Sequence, residues 1–158
     1  MRRVRVLLPI AVVTVTFVAI LAAGHAFAGS NGGDPARADG DALGPGTATV
    51  HLTIHHSHFA PDQLRVRSGT TVTFVIDNQD PIGHEFIVGD DGVHRRHEAG
   101  TEPVHPPRPG EVSIAAGTTA ETTFTFTGTT AAGDVLYACH LPGHFRYGMS
   151  GTVEVVPD

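Results

Sequence analysis

The feature that most constrains this chain is the run Ala138-Cys139-His140-Leu141-Pro142-Gly143-His144-Phe145-Arg146-Tyr147-Gly148-Met149. It holds the only cysteine of the 158 residues. His144 follows that cysteine by five positions, and Met149 follows His144 by five more. A thiolate, an imidazole and a thioether gathered on one short loop are donors that suit copper in both of its common oxidation states. A lone cysteine cannot form an internal disulfide, so an exported chain that keeps one needs another reason for it. Two histidines, one cysteine and a distant methionine make the trigonal site that copper electron carriers use. The missing histidine must come from elsewhere, and His84, in Asn78-Gln79-Asp80-Pro81-Ile82-Gly83-His84-Glu85-Phe86, is the best candidate.

The spacing Cys139-x4-His144-x4-Met149, the run Leu141-Pro142-Gly143-His144, and an upstream Gly83-His84 after a strand ending in asparagine together resemble the cupredoxins, the type 1 copper proteins. The resemblance covers residues 47–158. It implies a Greek-key β-sandwich binding one copper per chain, with His84, Cys139 and His144 as the strong ligands and Met149 as the weak axial one. It also implies a distant oxygen contact from the Gly83 carbonyl. The edge of the His144 ring would be exposed within an apolar patch of Leu141, Pro142, Phe145, Pro81 and Ile82, where a redox partner protein docks. One departure stands out. Many cupredoxins carry asparagine or serine after the first histidine to tie the two ligand loops together, and this chain has Glu85 there.

Taken in order, residues 1–28 have the form of a secretory signal: Arg2, Arg3 and Arg5, an apolar run, then Ala26-Phe27-Ala28 before a cut at Gly29. The rival reading is an uncleaved anchor, because the apolar run is about 18 residues, the low edge for a membrane span. Either way the chain is exported, to the periplasm, the exterior or the cell envelope, and it touches a membrane only if the leader stays. Residues 29–46 are rich in glycine, alanine, aspartate and proline without apolar periodicity, which reads as a linker. From residue 47 the hydrophobic period becomes two. Strands are expected at residues 47–56, 64–67, 71–77, 83–88, 112–114, 121–127, 134–139 and 151–156, with a turn at residues 59–62. Seven to eight short strands with glycine-rich turns indicate an all-β sandwich. Residues 89–110 lack a period and form a long excursion with one short helix near Arg95.

The formal net charge is −6, and removing the leader's three arginines makes it −9. That balance gives no electrostatic case for nucleic-acid binding. No paired carboxylates or Ser-His-Asp set suggest an enzyme, and no small-molecule substrate is implied. His140 follows the cysteine, as in multicopper oxidases, but Ala138 precedes it and His56-Ser57-His58 is the one His-x-His motif, so an oxidase is rejected. His51, His55, His56 and His58 form a further cluster, with His51 and His55 on one strand face and His56 and His58 on the other. They read either as a weaker second metal site for copper uptake or as polar residues on an exposed strand. His94, His97 and His105 fall in the excursion and read as solvated loop residues, although His97 could approach the copper face. Two functions remain: a one-electron carrier, or an exported copper-handling protein for storage, delivery or resistance.

Overall fold

The computed structural model describes residues 41–100 and 107–158. The leader reading, most of the linker and His105 lie outside the described residues. Within them, the alternating stretches fold into nine strands: β1 (Thr47–His55), β2 (His58–Ala60), β3 (Gln63–Arg67), β4 (Thr71–Asn78), β5 (His84–Asp90), β6 (Glu111–Ile114), β7 (Thr119–Thr125), β8 (Thr130–Ala138) and β9 (Ser150–Val156), with one helix, α1 (Asp91–Glu98). One sheet has the order β2-β1-β4-β7 and the other β3-β9-β8-β5-β6. The chain passes repeatedly between them, so β1 pairs in parallel with β4 and β3 with β9. The result is the expected Greek-key sandwich.

Period-two patterning explains the core. Val50, Leu52 and Ile54 of β1 and Val72, Phe74 and Ile76 of β4 point inward and are buried, while their neighbours face out. Phe59, Phe74, Phe86, Phe126 and Tyr137 meet edge-on, tilted or stacked in the core. Tyr137 is fully buried and its hydroxyl donates to the Pro61 carbonyl at 2.7 Å. Gly151 lies flat against that ring, and a β-carbon there would collide with the Tyr137 ring and hydroxyl. Because the ring is rigid and enclosed, Gly151→Ala is expected to destabilise the domain by about 1–3 kcal/mol through overpacking. A lowered denaturation midpoint with an unchanged denaturant slope is the check.

Two expectations need correction. The chain does not turn first at residues 59–62: β1 ends at His55 and reverses through His56-Ser57 into β2, which adds a strand to the expected set. His56 and Ser57 have φ of 51° and 58°, the left-handed pair of a two-residue hairpin usually met with Asn-Gly. The buried Asp80 carboxylate holds them there by accepting both backbone N–H groups, at 2.6 and 2.7 Å. Consequently His56 and His58 do not share a strand face. Upstream of β1 the described chain already touches the sandwich. Leu43 is buried and exchanges backbone hydrogen bonds with Arg65 and Arg67 of β3.

The excursion after β5 contains α1, centred where the short helix was expected. Asp90 caps it by accepting from the Val93 N–H at 2.9 Å. The helix packs on β5 and β8, which is why β5 is buried on both faces.

Candidate metal centre

His84 opens β5, Cys139 directly follows β8, and His144 lies on the tight loop before β9. One donor atom from each lies within 4.8 Å of the other two. His84 Nδ1 is 3.3 Å from His144 Nδ1 and 3.9 Å from Cys139 Sγ, and Sγ is 3.3 Å from His144 Nδ1. These three alone among the described histidine, cysteine and acidic residues converge so closely. The fourth predicted residue, Met149, is fully buried beneath the same loop. Its N–H donates to the His144 carbonyl and its carbonyl accepts from the Cys139 N–H, at 3.0 and 3.2 Å. The loop holds its shape through further backbone bonds, from His144 N–H to Leu141 and from Tyr147 N–H to Gly143. Gly83 stands immediately before His84, with its α-carbon facing the Ile114 carbonyl.

The electrostatics fit a soft cation. Burial raises the Cys139 thiol to about 11, although the backbone N–H groups of Glu85 and Leu141 pull it down. The thiol is therefore protonated until a metal displaces the proton. Burial lowers His144, helped by the neighbouring His84 and opposed by Asp80, so its ring is a neutral ligand at neutral pH. Since metal binding must release the thiol proton, the apparent affinity for Cu(II) is expected to tighten about tenfold per pH unit between about pH 7 and about pH 9. Competition titration against a chelator measures this, and a flat profile would show a thiol already ionised.

Two supports escaped the sequence reading. The Glu85 backbone N–H donates to Cys139 Sγ at 3.3 Å and links the ligand strands without regard to side-chain identity. The larger omission is Asp80. His84 Nε2 donates to Asp80 Oδ2 at 2.9 Å, which fixes the tautomer and turns Nδ1 towards Cys139. An aspartate four residues before the candidate histidine was the available signal. Asn78 braces the same loop, donating to the Ile82 and Ala115 carbonyls and accepting from the Asp80 N–H.

Around the centre, Pro81, Ile82, Pro142 and Gly143 are exposed, while Leu141, His144 and Phe145 are half-buried. Tyr147, not foreseen in this patch, is 84% exposed. His51, His55, His56 and His58 are all exposed. The His55 and His56 rings lie 3.8 Å apart, and His58 Nδ1 donates to the His56 carbonyl at 2.7 Å. His94 and His97 are not solvated loop residues but lie on α1 against His140. They pack together beside the centre, and burial pushes His140 down to about 4.

Comparison with known proteins agrees with this geometry. The profile of the copper binding proteins of the plastocyanin/azurin family matches residues 46–156. The chain is 35% identical to the copper-resistant cuproprotein CopI of Rubrivivax gelatinosus, over 84% of this chain and 82% of that protein. It is 28% identical to the copper-resistant cuproprotein CopI of Pseudomonas aeruginosa, over 69% of this chain and 76% of that one. Among solved structures, auracyanin B superposes with a TM-score of 0.57 at 26% identity, covering 73% of this chain and 92% of its own. Reduced auracyanin from Roseiflexus castenholzii shares the fold, with a TM-score of 0.57 at 19% identity, covering 72% of this chain and all of its own. With His84, Cys139 and His144 drawn together and Met149 beneath them, the chain belongs to the plastocyanin/azurin family of copper proteins, and its metal is a type 1 copper.

Proposed function

We propose that this cupredoxin is an exported one-electron carrier and not an enzyme. The observation that supports it most is the preassembly of three donor atoms within 4.8 Å on separate strands and a braced loop. Bound copper supplies the one-electron couple Cu(II)/Cu(I). The protein's part is to keep the donors nearly fixed, so that little reorganisation opposes a change of oxidation state. His144, half-buried among Pro81, Ile82, Leu141, Pro142 and Phe145, is the exit for the electron, and that patch is the docking surface for a redox partner protein. The signal-like leader supports export. Among the described residues no helix is long and apolar enough to cross a membrane.

A second reading, copper handling in storage, delivery or resistance, draws support from the names of the CopI relatives and from the histidines at the β1–β2 hairpin. Two measurements on one sample separate the readings. The carrier is expected to show rapid electron self-exchange and slow transfer of copper to a competing chelator. Slow self-exchange with fast copper loss would favour the handler. In that case, replacing His51, His55, His56 and His58 together should slow copper loading while leaving the absorption spectrum of the centre unchanged.

A further inference from the structure

His94 and His97 stand three residues apart on α1, so both project from one face of the helix. His140 is the residue after the ligand Cys139. His94 Nδ1 lies 2.9 Å from His140 Nε2, and the His97 ring is stacked on the His140 ring, with centroids 5.7 Å apart. Phe145 stacks nearly parallel to His94 and encloses the group.

The protons can be assigned from the partners. His94 Nε2 is 3.1 Å from the Gly89 carbonyl and 3.2 Å from the Leu136 carbonyl. Carbonyls only accept, so Nε2 carries the proton and Nδ1 presents a lone pair. That lone pair receives the N–H of His140 Nε2. The other nitrogen of His140, Nδ1, is then an acceptor, buried and without a hydrogen-bond partner. His97 Nε2 donates to Glu111 Oε1 at 3.3 Å, which leaves its Nδ1 as the basic nitrogen. A ring whose remote N–H is held by a carbonyl or a carboxylate is the arrangement that orients metal-ligating histidines, and His84 on Asp80 has it too. The 2.9 Å separating the His94 and His140 nitrogens is close to the 3.3 Å between the His84 and His144 nitrogens of the copper centre.

We propose that His94, His97 and His140 form a second metal site for a borderline divalent cation. A cation there would take the place of the proton between His94 and His140, which passes to the buried Nδ1 of His140, and His97 stands beside this pair as the third candidate donor. Imidazoles backed by a carboxylate suit copper and zinc, and Cu(II) heads the affinity order. A cleft of about 340 Å³ opens beside His140, with Glu98 and Arg146 both among its lining residues. The site stands apart from the question of carrier or handler, yet it is one peptide bond from the thiolate ligand. A cation there favours the less positive state of the type 1 centre and raises its midpoint potential.

The test uses full-length protein carrying one equivalent of copper, titrated with Zn(II) by calorimetry. One further equivalent is expected to bind and to raise the midpoint potential. His94→Ala with His97→Ala is expected to weaken that equivalent by at least about tenfold and to abolish the potential shift, leaving the thiolate absorption intact. Because His94 is buried, His97→Gln serves as a gentler variant with the same expected direction. Replacing the four hairpin histidines is expected to leave the equivalent in place. No further equivalent, or one undiminished by both the double variant and His97→Gln, would overturn the site. So would one lost only with the hairpin histidines.

Discussion

Cys139→Ser is expected to abolish the intense visible absorption of the copper form while the sandwich stays folded. The absorption depends on a thiolate bound to Cu(II), and no other described residue can supply one, since the chain has a single cysteine. Serine is nearly the same shape, and its hydroxyl meets the Glu85 N–H that now donates to Sγ. The cost of burying that hydroxyl is about 1–3 kcal/mol before this bond offsets part of it. Visible spectroscopy and circular dichroism on one preparation separate the two effects. A colourless wild type that holds stoichiometric Cu(II) would instead remove the type 1 assignment.

Asp80→Ala is expected to weaken copper binding by about 10–100-fold, because His84 loses the acceptor that fixes its tautomer and ring orientation. The same change releases the N–H groups of His56 and Ser57, and each charge-assisted hydrogen bond lost costs about 1.5–3 kcal/mol. Metal affinity and fold stability therefore fall together, an unusual signature for one residue. Asp80→Asn keeps one acceptor oxygen and is expected to fall between the wild type and alanine in both. The pH dependence has a definite sign. Burial pushes the Asp80 carboxyl up, but the Ser57, His56 and His84 bonds together bring it below the usual carboxylate value. A lowered native value stabilises the fold above the ordinary carboxylate range, and that stabilisation disappears as the pH falls through the lowered value. Acid unfolding curves of the wild type and Asp80→Asn should converge at low pH, and parallel curves would exclude this account.

The sequence by itself determined whatever depends on near neighbours. Cys139, His144 and Met149 lie on one loop, so their spacing alone limits the donors that can meet. Alternation gave most of the strands and the inward faces of β1 and β4, because a strand's side chains must alternate whatever it pairs with. The helix α1 was legible from its place in the chain, since its cap is local. Tertiary structure decided the rest. The His56-Ser57 reversal lacks the glycine that marks such turns, and it is held by a carboxylate more than twenty residues away. Asp80 gains its role only when β4 and the following loop bring it under both the hairpin and His84. His94 and His97 read as loop residues until α1 folds back on β8 and sets them ring to ring with His140. A linear pattern records which side chains share a face. Which distant donor meets which distant acceptor is fixed only when burial forces every polar group to find a partner.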